Sequence, residues 1–254
     1  MIADMLDYKV KLTVSYDGGS FFGFQRQREE PTVQSVLSEA LETINQQPVL
    51  PEGAGRTDSG VHALGQVVCF TPEVNIPLEN WPGAINGLCP SSLVVRKAEK
   101  VCADFDPISW ARYKHYRYLI DTSGLILPFY DGYVYKCRYD DLDTEAMGTA
   151  AAELLGKCDF ASFQVSGRPV QSTVRTMYQI GVHEGKPDRI VVDMIAGGYL
   201  YKMARSIVGT LIEVGRGSLN IQDFREVIDV RDRTAAGPTA PPEGLYLVAV
   251  KYDI

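Results

Sequence analysis

An α+β fold in two halves is what this chain of 254 residues predicts, on three observations. The length exceeds one typical domain of ~100–200 residues. Segments with the two-residue period of a strand alternate along it with segments of helical period. Each half also runs strand, helix, strand, helix in a similar order. Hydrophobic residues make up 45% and charged residues 22% of the chain. That is enough to bury a core without staples and too apolar for disorder.

The elements follow in order. Residues 8–16, YKVKLTVSY, alternate apolar and polar and read as a half-buried strand, broken by the turn Asp17-Gly18-Gly19. After Pro31, Val33, Val36, Leu37, Ala40, Leu41 and Ile44 trace one helical face, with Thr32 placed to cap it. Residues 66–70 read as a strand and 81–88 as a short helix. The stretch 104–107 has little periodicity and divides the chain into expected domains 1–107 and 108–254. Beyond it come a strand at 116–120, a helix over 142–155 stopped by Gly156, and a strand at 189–196. The clearest helix starts at Leu200, whose stripe continues through Met203, Ala204, Ile207, Val208, Leu211 and Ile212. A helix at 220–229 and a strand at 244–250 close the chain.

Composition excludes several classes. No apolar run approaches the ~20 residues of a membrane span. The acidic start MIADMLD has neither the basic nor the apolar region of a signal peptide, so a cytoplasmic protein is expected. Cys69, Cys89, Cys102, Cys137 and Cys158 are odd in number and never form C-x-x-C, which argues for reduced thiols and against a cysteine zinc site. His62, His115 and His183 are dispersed, and G-x-S-x-G is absent. The 25 basic residues against 32 acidic ones leave a net charge of −7, so any nucleic acid must be met by local basic patches. Two such patches interleave bases with rings: 21–28, FFGFQRQR, carrying +2, and 112–118, RYKHYRY, carrying +3 with His115 neutral. Cations of this kind meet phosphate while rings stack on unpaired bases.

The segment 53–62, GAGRTDSGVH, carries the most chemistry. It resembles the start of G-x-G-x-x-G, but Asp58 occupies the third glycine position and would repel a pyrophosphate. Its glycines free the backbone beside Arg56 and Asp58. A carboxylate held there can face a pocket; the alternative is an Asx-turn in which Asp58 bonds backbone amides. Arg205, at the border of the apolar stripe, can either reach inward to a carboxylate and keep it ionised or snorkel to solvent.

Taken together these segments resemble the tRNA pseudouridine synthase A family. The matching stretches are Tyr16-Asp-Gly with 23–27, GFQRQ; 55–63, GRTDSGVHA, with 65–68; Tyr116-Arg-Tyr118; Leu155-Gly156 with 159–163; Met203, Arg205, 207–209 and 213–215; and 243–250, EGLYLVAV. The resemblance implies a pseudouridine synthase fold: two similar halves with largely antiparallel sheets flanked by helices and an active-site cleft between them. It implies an isomerase that converts uridine to pseudouridine at positions 38, 39 and 40 of tRNA. It further implies a homodimer without metal or small-molecule cofactor, binding the anticodon stem-loop and elbow of tRNA in a basic cleft. By matching motif positions, Asp58 is the catalytic aspartate, Arg205 its partner and Tyr116 the active-site tyrosine. Arg56 displaces the target base, Leu245 lines the base pocket, and Gln25, Arg26 and Lys202 complete the binding set. Arg28 and Arg117 are expected to share the basic surface. Two positions depart from the family pattern: Phe24, where Trp is usual, and Ile108, where Arg is frequent. The competing readings are a non-catalytic RNA-binding protein on the same scaffold and a hydrolase, for which no second carboxylate presents itself.

Overall fold

The computed structural model describes residues 7–28, 30–167, 170–185 and 188–253. The acidic start at 1–6 lies outside them. The fold is mixed α+β, and the chain divides into two compact units, residues 1–112 with 247–254, and residues 113–246.

The first unit holds β1 (Tyr8–Tyr16), α1 (Val33–Asn45), the short β2 (Glu52–Gly53), β3 (His62–Phe70), α2 (Trp81–Asn86) and β4 (Leu93–Cys102). Strand β1 pairs antiparallel with β3 on one side and β4 on the other, placing Leu12 opposite Val68 and Ala98. The predicted alternation is realised: Val10, Leu12 and Val14 are fully buried. Thr32 caps α1 by accepting from the Ser35 amide at 3.2 Å, and the Ser35 hydroxyl accepts from the Thr32 amide in return. Phe70 and Trp81 pack edge to face in the core, with ring centres 5.0 Å apart.

The second unit holds most of β5 (Ala111–Asp121), then β6 (Tyr135–Lys136), α3 (Thr144–Ala152), β7 (Gly156–Asp159), β8 (Val174–Gly185), β9 (Arg189–Ala196), α4 (Met203–Gly215) and α5 (Ile221–Val230). Its main strand order is β5-β9-β8-β7, antiparallel throughout, with β6 added parallel to β5. The last strand, β10 (Leu245–Tyr252), begins in this unit and from Leu247 onward belongs to the first, where it pairs with β3.

Four elements stand out against expectation. Helix α4 starts at Met203 rather than Leu200, because Lys202 takes a left-handed conformation (φ 58°) that a helix cannot contain. Helix α3 is shorter than 142–155: Asp143 caps it, accepting from the Ala146 amide at 2.8 Å, and it ends before Gly156 turns the chain (φ +87°) into β7. Strands β4 and β8 carry no clean alternation in sequence. All five cysteines are free thiols, and among the described residues no helix is long and apolar enough to cross a membrane.

Candidate active site

Arg56 and Asp58 sit on the loop that joins β2 to β3, Arg56 exposed and Asp58 half-buried. The residue between them is the anchor. Thr57 is buried, its carbonyl accepts from the Phe24 amide at 3.1 Å, and its hydroxyl shares a 2.8 Å hydrogen bond with Tyr16. Below the loop, the Gln66 side-chain amide donates to the Gly55 carbonyl at 2.9 Å and lies 3.5 Å from the Tyr16 hydroxyl. Beyond Asp58, whose own carbonyl accepts from the Val61 amide at 3.1 Å, His62 accepts the Gly18 amide on Nδ1 at 3.0 Å. The same Nδ1 lies 3.3 Å from Oδ1 of Asp17, so the His62 ring ties the end of the loop to the turn after β1.

The segment carrying Gln25 and Arg26 is tied to the same loop. Gly23 has φ +85°, and a Cβ there would lie 2.9 Å from the Thr57 carbonyl oxygen, so the contact needs glycine on both counts. The Gly23 and Phe24 carbonyls accept from the first amides of α1, Val33 at 3.2 Å and Gln34 at 2.9 Å. Phe24 is buried with its ring where a Cβ on Gly53 would fall, 2.3 Å away. The exposed Arg26 and half-buried Gln25 thus leave a rigid knot made of α1's first turn and the Asp58 loop.

Tyr116, Lys202, Arg205 and Leu245 belong to the second unit. Tyr116 lies on β5 opposite Met194, its ring edge-on to Tyr199 with centres 4.8 Å apart. Tyr199 donates to the Met194 carbonyl at 2.8 Å, and burial, then the nearby Tyr116, pushes its pKa well up, so its hydroxyl keeps its proton. Arg205 donates from Nε to the Ala240 carbonyl at 2.7 Å, and the Ala240 amide donates back to the Arg205 carbonyl at 3.1 Å. The side-chain bond holds the Nε edge of the guanidinium, and the backbone bond fastens residue 240 to α4. Further along, Tyr118 donates to the Pro241 carbonyl at 2.7 Å, and a Cβ on Gly244 would fall 2.6 Å from the Tyr118 ring. The segment before Leu245 is therefore fastened both to α4 and to β5, and Leu245 itself is buried. Lys202 precedes α4, its ammonium 5.1 Å from the centre of the Tyr201 ring.

Arg117 is engaged by a carboxylate of its own unit. Alternation along β5 puts it on the face opposite Tyr116, where it binds Asp193 by two hydrogen bonds beside His115. Lys114 is on the Tyr116 face instead, and burial draws its pKa down. Ile108 is exposed, as a position suited to a polar side chain would be. Sequence reasoning gave Tyr16, Gln66, His62 and Lys114 no individual role, although the first three stand in the matching stretches and Lys114 in the basic patch 112–118. Among the described residues no group of three or more His, Cys, Asp or Glu side chains is arranged to hold a metal ion.

A family model described as tRNA pseudouridine synthase matches residues 12–107 and 150–253. A protein of Lacticaseibacillus casei (strain BL23) named tRNA pseudouridine synthase A is 42% identical over 254 residues, covering 98% of this chain and 100% of its own. Proteins of the same name from Moorella thermoacetica (strain ATCC 39073 / JCM 9320), 41% identical over 245 residues, and Thermoanaerobacter sp. (strain X514), 39% identical over 243, each match 96% of this chain and 99% of their own length.

Proposed function

The chain belongs to the tRNA pseudouridine synthase A family and is an isomerase of tRNA uridines, and from that premise we propose that it acts at positions 38, 39 and 40 of the anticodon stem-loop with Asp58 as its catalytic carboxylate. The reaction breaks the bond from ribose C1′ to N1, turns the uracil over and joins C1′ to C5. N1 gains a proton and C5 loses one, so the product is an isomer of the substrate.

Each step asks for a residue type this chain supplies. A base inside a helix is out of reach, so the target is flipped out, and the exposed Arg56 takes its place in the stack. Ionised Asp58 starts the reaction, by attack on the sugar or ring or by taking a sugar proton, and Arg205 keeps it ionised and oriented. Uracil leaves as a delocalised anion and needs no strong general acid. Tyr116 and Leu245 wall a site that keeps the detached base from bulk water, and the Tyr116 hydroxyl relays the C5 proton, releasing its own as it accepts, so that C5 loses one proton and N1 gains one overall. Gln25, Arg26 and Lys202 hold the RNA backbone, and the protein works in the cytoplasm as a homodimer that binds stem-loop and elbow together.

The pinned loop carries this reading: Thr57, buried and tied at both carbonyl and hydroxyl, sets Asp58 on a backbone that cannot drift. With tRNA tritiated at uracil C5, Asp58→Asn is expected to abolish tritium release while tRNA affinity stays within about threefold. Turnover retained by that variant overturns the assignment.

A further inference from the structure

Beneath the Asp58 loop lies a buried polar cluster, of which the Thr57 hydroxyl is one member and to which no role in the reaction has yet been given. Tyr16 is 5% exposed, Thr57 7% and Gln66 0%. Tyr16 and Gln66 stand on neighbouring strands, β1 and β3, and both reach the same four-residue stretch, Gly55 to Asp58. Burying three polar side chains in an apolar sheet is costly unless each finds a partner. Here the partners are one another and the loop backbone. Gln66 uses both ends of its amide, donating to Gly55 and accepting from the Val67 amide at 3.1 Å. Tyr16 joins Gln66 to Thr57. Burial raises the Tyr16 pKa to about 12, outweighing the hydrogen bonds from Thr57 and Gln66, so its hydroxyl keeps its proton.

Stability alone does not call for this arrangement, since apolar residues would fill the same space. Its geometric effect is to hold the backbone on each side of Arg56 and Asp58 at fixed height above the sheet. We propose that Tyr16, Thr57 and Gln66 are positioning residues for the isomerisation: they act through the loop backbone, keeping the Asp58 carboxylate in register with the sugar without touching substrate. The inference rests on the assignment of Asp58 as the catalytic carboxylate. Displacements near 1 Å at a reacting group cost on the order of 100-fold in rate, so a loosened loop lowers kcat and leaves the tRNA contacts, and hence KM, in place.

Thr57→Val removes the hydroxyl with little change of volume, Thr57→Ser retains it, and Tyr16→Phe removes its partner. In the tritium-release assay, Thr57→Val and Tyr16→Phe are each expected to lower kcat at least tenfold with KM within twofold. Thr57→Ser stays within threefold of the parent. The double variant Tyr16→Phe/Thr57→Val is expected to fall no further than the worse single variant, because both remove the same bond. A merely structural role lowers the folded fraction, read by circular dichroism at the assay temperature, and does not separate Ser from Val in kcat per folded molecule. Equal kcat for Thr57→Ser and Thr57→Val, or full kcat in Tyr16→Phe, overturns the inference. Asp58→Asn, run alongside, separates the two failures: if it turns over, the assignment of Asp58 falls; if it is inactive while Thr57→Val is at full rate, only the positioning role falls. Were either single variant to lose its fold, the Thr57→Ser result at full kcat against a Gln66→Leu variant with lowered kcat supports the role, and equal rates in that pair overturn it.

Discussion

Arg117 grips Asp193 with two parallel hydrogen bonds, Nε to Oδ1 at 3.0 Å and Nη2 to Oδ2 at 3.1 Å, while His115 meets Oδ1 at 2.6 Å. Burial by itself would raise the Asp193 pKa. The hydrogen bonds and charges of Arg117 and His115 outweigh it and hold the carboxyl below the usual range. A carboxyl depressed in the folded state adds stability above its unfolded pKa of about 3.9 and loses that contribution as pH falls through the folded value. Asp193→Asn is therefore expected to lower stability at pH 7, where the ionised carboxyl is fully held by Arg117 and His115. In urea titrations the gap to the parent narrows steadily below about pH 4. A gap of equal size at pH 7 and pH 3 contradicts this account.

The same ion pair redistributes the positive charge available to RNA. A cation already paired with a carboxylate releases few counterions from a polyanion. Plots of log Kd for tRNA against log salt should keep their slope in Arg117→Ala. They should flatten by about 0.7–0.9 in each of Arg26→Ala and Lys202→Ala, the loss of one phosphate contact. If Arg117→Ala flattens the plot as much as the others, the guanidinium leaves Asp193 for the RNA.

Two helical glycines give opposite expectations. A Cβ on Gly209 in α4 would lie 1.7 Å from the Pro238 carbonyl oxygen, in the segment that also ties Arg205 to Ala240, whereas a Cβ on Gly148 in α3 meets nothing within 4 Å. Gly209→Ala should lower thermal stability by about 3 kcal/mol, the upper end for overpacking a core. Gly148→Ala should raise it by roughly 0.5–1 kcal/mol through helix propensity. Equal effects would mean that α4 shifts freely away from the 238–240 segment.

Local pattern made much of this fold legible. Strands β1 and β9 match their expected bounds because their alternation is uninterrupted, and α1 announced itself through Thr32 and one apolar face. Strand β4 was silent because Arg96, Lys97, Glu99 and Lys100 crowd its middle, and β8 because most of its side chains are half-buried on either face. At the candidate site, the glycines around Arg56 and Asp58 flagged the loop. What fastens it went unseen, since Tyr16 meets Thr57 across 41 positions and Gln66 across 50. Pairings at that distance leave no periodicity to read. The pairing of Arg117 with Asp193 is hidden for the same reason, its carboxylate lying 76 positions downstream.

The return of β10 makes the second unit an insertion within the first, and a gene cannot be cut in two at the crossing without harm. A fragment ending at Arg112 would keep β1, β2, β3 and β4 but strip β10 from a flank of β3 that β2 meets only at Val68 and Cys69, leaving amides and carbonyls open for other chains to stack on. Anyone wishing to express the Asp58-bearing half alone must graft residues 247–253 back onto it, so the last few codons are as much a part of that half as the first hundred.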